Sequence, residues 1–253
     1  MIGRALKSLI LHSASLILLL GAWEAVCRAG MVSPHLLPAP SAIFLRLLVQ
    51  LADPAFLIHL GQTVLRIAVG LALATAIGVG VGLAASRNRL IGRLLEPLVR
   101  VLAPIPKIAL YPALILMLGF DHASKIALIV ADAVFPILLA TYHGARMVEP
   151  KLIWSARAAG ASERQCTFTI VLPAALPSIY TGLRIALLIA CVVVFLAEMI
   201  SSSDGLGHLL IRAARSFRTL DMFVPLLAVS LLGLALNGLA TLAGRRLLRG
   251  FAL

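Results

Sequence analysis

Apolar and polar positions alternate along this chain in long blocks, not at single-residue intervals. Six apolar stretches run from Leu9 to Val26, Val64 to Ala85, Val99 to Gly119, Ile126 to Tyr142, Tyr180 to Ala197 and Met222 to Gly244. Each is close to the roughly 20 residues that a helix needs to cross a bilayer. The second is free of charge from Ile67 to Ser86, and the sixth from Met222 to Gly244. The third is interrupted by Pro104, Pro106, Lys107 and Pro112. A spanning helix tolerates such breaks only where it faces protein or a wet cavity, which makes this segment a pore-lining candidate. The pattern predicts an all-α integral membrane protein with six transmembrane helices, forming a single transmembrane domain over residues 1–253.

The polar stretch 150–173 departs from the membrane pattern. Pro150 is a good first helical residue, and Gly160 can take the left-handed turn that stops a helix. Ser162 followed by Gln165 has capping-box spacing, and Phe168, Ile170 and Val171 carry a second helix to a break expected at Pro173. Along the second span, Gly70, Ala74, Gly78 and Gly82 recur every four residues and form a ridge of small side chains against which another helix can pack closely. After the first span, Leu37-Pro38-Ala39-Pro40-Ser41 reads as an extended link, with Ser41 capping an amphipathic helix through Leu48 that lies along the membrane surface.

Composition agrees with this reading and removes others. Of 253 residues, 61% are hydrophobic, too many for a soluble domain of this length. The net charge of +12 would point to nucleic acid in a soluble chain. Here the cations lie between apolar runs, so membrane lipid is their partner and nucleic acid is not. Arg4, Lys7, Arg87, Arg89, Arg93, Arg146, Lys151, Arg157, Arg164, Arg245, Arg246 and Arg249 fall on one side of a six-span topology. Only Arg28, Arg46, Lys125, Arg212, Arg215 and Arg218 fall on the other, so both termini and the 150–173 insert are expected in the cytoplasm. Cys27, Cys166 and Cys191 have neither disulfide nor metal-site spacing and read as small core residues. Arg4 and Lys7 before an apolar run mimic a signal peptide, but no convincing cleavage site follows, so the segment is read as a retained first span.

Ionisable groups at membrane depth cost roughly 3 kcal/mol on insertion scales, so each calls for a partner or a role. Glu24 lies close enough to the outer end of its span to reach the interface. Asp132, well inside the fourth span, must pair with a basic residue or line water. Glu198 ends the fifth span beside Ser201, Ser202 and Ser203, as either a gate or clamp at the outer mouth or an interfacial carboxylate capping neighbouring backbone. His208, Arg212 and Arg215 share one face of a short amphipathic helix. That basic face can draw anions to the pore, bind acidic residues of a partner protein, or meet lipid headgroups. Lys107 and Arg100 are alternative anion contacts. No nucleophile or metal-ligand cluster accompanies these residues, and the sequence has no phosphate-binding Gly-x-x-x-x-Gly-Lys-Ser/Thr loop.

The insert reads Trp154-Ser155-Ala156-Arg157-Ala158-Ala159-Gly160, nine residues, then Ile170-Val171-Leu172-Pro173. It resembles the cytoplasmic EAA loop of ABC importer permeases, with Gly160, Ile170, Leu172 and Pro173 in register. Trp154 and Ser155 stand where that family carries Glu and Ala. Further landmarks occur in the order seen in the aliphatic sulfonate, taurine and nitrate permeases: the Pro38–Pro40 link, Pro104-Ile105-Pro106, Gly119 with Ser124-Lys125-Ile126, Ala197-Glu198-Met199 and Gly205-Leu206-Gly207. The resemblance implies a type I ABC importer permease in the bacterial inner membrane, working as a dimer, with a homodimer expected. A dimer of ATPase subunits would dock beneath it and carry ATP and Mg, leaving this chain without a cofactor. A periplasmic or lipid-anchored binding protein would deliver the substrate. Residues 154–158 and 160 of the coupling helix, with Ile170, Leu172 and Pro173, would transmit ATPase motion; Lys107, Asp132, Glu198 and Ser201 are pore or gate candidates. The expected cargo is a small anion. The alternatives are a neutral heteroaromatic nutrient carried by the same architecture, an ion-driven carrier using Asp132 and Glu198 as proton sites, and, more remotely, a membrane enzyme.

Overall fold

A computed structural model describes residues 2–248, leaving aside the side chains of residues 2–13 and 247; Arg249 of the basic count lies outside the described residues. All regular structure among them is helical. In chain order the helices are α1 (Ile2–Arg28), α2 (Pro40–Leu51), α3 (Pro54–Arg87), α4 (Arg89–Leu102), α5 (Tyr111–Leu118), α6 (His122–Arg146), α7 (Pro150–Ala158), α8 (Glu163–Cys166), α9 (Leu172–Ile200), α10 (Leu206–Arg215) and α11 (Thr219–Leu247). Among the described residues, helices α3 and α6, the α8–α9 rod and α11 are each long and apolar enough to cross a membrane, and α4 with α5 forms a bent apolar pair that is long enough only when the two are taken together. The predicted first span is occupied by α1.

α6 is the centre of the bundle, packed between α3 and α9, with α11 against α9, α10 and α2. The small ridge explains why α3 lies so close to α6. A Cβ on Gly70 would stand 2.7 Å from Ile129 Cγ2, and one on Gly78 would stand 2.9 Å from Ile137 Cγ2. Ala74 is wholly buried in the same core as Ile129, Ala133, Ile137 and Ala190. The ridge is therefore a contact within the chain, and the absence of side chains is what lets Ile129 and Ile137 sit against backbone.

Three predicted boundaries change. The third span does not run straight from Val99 to Gly119: α4 begins at Arg89, and the chain then bends by 85° into a 3₁₀ turn at Lys107–Leu110 and α5. Pro104 and Pro106 supply the physical reason, since neither can donate a helical backbone hydrogen bond. Ser41 is not the cap of α2. Ala39 occupies that position with Pro40 as the first helical residue. Ser41 instead donates from its backbone N–H (3.0 Å) and Oγ (2.7 Å) to the Glu24 carboxylate, which also pairs with Arg28 and so ties α1 to the start of α2. The predicted break at Pro173 is absent as well. A π turn at Thr167–Val171 joins α8 to α9, and the N–H of Leu172 reaches back five residues to Thr167 O. The wider turn accommodates a residue that lacks an N–H and would clash with the carbonyl four positions back. The outcome is a continuous helix over Glu163–Ile200.

Candidate functional site

Two ends of the bundle carry chemistry. At the first, α7 stands clear of the core and has no buried residue. Its termination is a Schellman turn: Gly160, at φ +89°, donates to Arg157 O (2.9 Å), and Ala161 donates to Ala156 O (3.0 Å). Ser162 and Gln165 then form the expected capping box. Glu163 lies between Arg157 and Arg87, pairing with both, and so ties α7 and the end of α3 to the base of the long α8–α9 helix. Trp154 is 64% exposed. Ser155, Arg157 and Ala158 are also exposed, while Ala156 is half-buried. Ile170 and Leu172 are half-buried and pack with the buried Val171 and Ala175. The sequence grouped residues 154–173 as one functional stretch; the structure divides it into an exposed helix and a buried root.

At the opposite end, Glu198 is a buried clamp that also caps neighbouring backbone. Its carboxylate accepts from Arg66 Nη1 (2.7 Å), from Thr63 Oγ1 (3.0 and 2.9 Å) and from the backbone N–H of Gly207 (3.1 Å). Arg66 is just as buried and also pairs with Asp204. Burial pushes the Asp204 carboxyl up, but its hydrogen bond and attraction to Arg66 outweigh this and hold it below the ordinary aspartate value. His59 Nδ1 accepts from Gly205 N–H (3.0 Å), and Thr63 Oγ1 accepts from Leu206 N–H (3.0 Å), so α3 fastens the whole α9–α10 turn. Lys125, counted above among the outer basic residues, is 1% exposed and donates to the carbonyls of Phe120 and Asp121.

Arg66, Thr63, His59 and Asp204 were not selected from the sequence. Arg66 carried a usable signal, since an arginine inside a span needs a carboxylate for the same reason that Glu198 needs a cation. What a linear reading lacked was the pairing across 132 positions.

Between the two ends, the partner of Asp132 is Lys107, with Nζ 3.3 Å from Oδ1. Lys107 also donates to Ala103 O (2.6 Å) and lies 4.6 Å from the Phe135 ring centroid. It therefore caps the end of α4 at the 85° bend and holds that bend against α6. Arg100 is exposed and pairs at 3.6 Å with Glu96 on its own helix. His208, Arg212, Arg215 and Ser201 are brought together around one cavity at the α10 end, which also touches Glu198. Among the described residues no cluster of His, Cys, Asp and Glu could hold a metal ion.

Comparison with known proteins agrees with this architecture. A permease of Escherichia coli (strain K12) named for aliphatic sulfonates transport is 34% identical over 90% of this chain and 86% of its own length. A formylaminopyrimidine transport permease protein of Halalkalibacterium halodurans is 33% identical over 86% of each chain. The taurine transport system permease protein of Escherichia coli (strain K12) is 30% identical over 88% of this chain and 82% of its own. Among solved structures, a chain of the MetNI methionine ABC transporter in an inward-facing conformation superposes with a TM-score of 0.63 at 21% identity, over 76% of this chain and 94% of that one, which establishes likeness of fold. The family model for binding-protein-dependent transport system inner membrane components matches residues 74–250. The chain belongs to that family: it is a membrane-spanning permease subunit of an ABC importer, a class in which ATP hydrolysis lies in separate subunits.

Proposed function

We propose that this permease imports a small anion of the aliphatic sulfonate, taurine or nitrate class by alternating access, as one of two copies in a homodimer. α7 and both termini face the cytoplasm, where α7 docks on the ATPase; the α10 end faces outward and receives the solute from a binding protein. The observation that carries the reading is α7 itself: a helix with no buried residue, presenting an exposed tryptophan and closed by a left-handed glycine. An apolar ring displayed on a helix that buries nothing in its own chain is suited to burial against another.

The route of transmission follows from the continuous helix. Movement of α7 acts through Gly160 and the Arg157–Glu163–Arg87 link on the base of the α8–α9 rod. The far end of that rod carries Glu198, whose clamp holds α3, α9 and the start of α10 together. At about 1.5 Å per residue the rod is long enough to join the two faces of a bilayer. Asp132 and Glu198 are already engaged by Lys107 and Arg66, which argues against the ion-driven carrier that would use them as free proton sites. A cargo bearing an anionic sulfonate group is supported by the sulfonate and taurine relatives. A neutral heteroaromatic cargo is the second reading, favoured by the formylaminopyrimidine relative at nearly the same identity.

Gly160→Val tests the coupling. The left-handed conformation costs a β-branched residue roughly 1–2 kcal/mol or more, enough to misdirect α7 while the spans still insert. The expected product is membrane-inserted but fails to retain the ATPase or to stimulate its hydrolysis with substrate. Normal coupled uptake by this variant would refute the role given to α7. Impermeant thiol labelling of Ser203→Cys, but not Gly160→Cys, in intact cysteine-free cells checks the orientation.

A further inference from the structure

Two arginines stand beside the clamp at the α10 end and take no part in it. Arg212 and Arg215 are exposed and lie on the last turn of α10, and among the described residues neither makes a hydrogen bond or an ion pair. Both line a cavity of about 560 Å³ together with the Ser201–Ser203 loop. Within that loop Ser202 Oγ is committed to Asp204, whereas the hydroxyls of Ser201 and Ser203 have no partner among the described residues. His208 Nδ1 lies 2.6 Å from Ser202 O. A carbonyl only accepts, so the imidazole donates there and pins the loop to α10, fixing hydroxyls and guanidinium groups in one frame.

The charge balance of the cavity is specific. Glu198 touches it and shares the single charge of Arg66 with Asp204. Asp121 is the other carboxylate on its wall; it forms no ion pair among the described residues, but Lys125 lies beside it, donating to its backbone carbonyl (3.1 Å). Arg66, Lys125, Arg212 and Arg215 together face Glu198, Asp204 and Asp121, which leaves a surplus of one positive charge and suits a monoanion. Guanidinium groups match planar or tripodal oxyanions through paired N–H donors, and partial enclosure strengthens such contacts relative to open water.

We propose that this cavity is a receiving site in the permease for a small monoanionic oxyanion, such as a sulfonate group, held between Arg212 and Arg215 and the hydroxyls of Ser201 and Ser203. The inference rests on the anionic cargo proposed above, and it gives the permease a share in substrate choice separate from the binding protein.

The test uses the permease–ATPase complex in nanodiscs, with Cys27, Cys166 and Cys191 replaced and Ser216→Cys placed on the cavity wall as a reporter. The rate of modification by a charged thiol reagent is followed against the monoanions methanesulfonate and nitrate and against zwitterionic taurine, which presents the same sulfonate group, with sodium chloride keeping ionic strength constant. Saturable protection by the oxyanions beyond that of chloride is expected. Arg212→Gln with Arg215→Gln should raise the half-protecting concentration roughly tenfold or more, from loss of charge-assisted hydrogen bonds. Arg→Lys at both positions should restore part of it, which separates loss of charge from misfolding. Equal protection by chloride, or unchanged protection in the double Gln variant, overturns the site. Uptake of radiolabelled sulfonate, measured in parallel, separates the two claims. Sulfonate uptake without protection refutes the cavity and leaves the cargo standing, whereas uptake of a formylaminopyrimidine and of no anion refutes the cargo.

Discussion

The two ends of this bundle use the same side-chain chemistry under opposite conditions. At the α10 end, Arg66 is shared by Glu198 and Asp204, with the Arg66 and Glu198 side chains 1% and 0% exposed. At the α7 end, Glu163 is shared by Arg87 and Arg157, with the Glu163 side chain 65% exposed. Burial decides what each arrangement can do. A buried ion pair is costly to break because the remaining charge cannot be solvated, so the first fixes three helices in one relation. An exposed pair trades easily with water, so the second can be remade as α7 moves. The permease is thus rigid where α3, α9 and α10 meet and adjustable at α7.

The largest effect should come from breaking the buried triad. Glu198→Leu leaves Arg66 with the partly exposed Asp204 as its remaining carboxylate partner and should destabilise the protein by about 3–5 kcal/mol, read as a lowered melting temperature in detergent. Removing both partners, with Arg66→Met added, should recover much of that loss. A Glu198→Leu protein as stable as the parent would end the contrast between the two ends.

Next in size is the bend between them. Lys107→Met strands Asp132 at membrane depth, at a cost of roughly 3 kcal/mol, and frees the end of α4 from α6. Adding Asp132→Asn should return part of the stability, because a neutral amide is cheaper to bury than an unpaired carboxylate. No gain from the second substitution would mean that Asp132 is solvated independently of Lys107.

Trp154→Ala sharpens the contrast from the other side. The side chain is mostly exposed, so melting should be unchanged, while affinity for the ATPase should fall by about 2 kcal/mol, or roughly thirtyfold. Binding of detergent-solubilised permease to immobilised ATPase measures this directly. An altered melting temperature with full ATPase affinity would reverse the assignment. The smallest effect is expected from Glu163→Gln, within about 1 kcal/mol on stability and fading as salt is raised. A large, salt-independent loss would show that the α7 end is also rigid.

Some of this was legible in the linear chain because it depends on local chemistry. Long apolar blocks announce helices that must leave water. Pro150, Gly160 and the Ser162–Gln165 spacing define a helix, a left-handed stop and a capping box, each decided within a few residues. The every-fourth-residue ridge on α3 likewise announced close packing. Its partner, α6, required the fold, since any smooth apolar helix could have filled the role.

What the tertiary structure alone decided is pairing and continuity. Arg66 and Glu198 are 132 positions apart, and Lys107 meets Asp132 only because the chain bends by 85° between Leu102 and Lys107. Pro173 looked like a stop because proline removes a local hydrogen bond. The preceding π turn absorbs the defect, and packing of Val171 and Ala175 into the bundle keeps the helix running. Sequence determines the cost of exposing an apolar face or stranding a charge. Which of many distant groups meets that cost is set by the three-dimensional packing of helices.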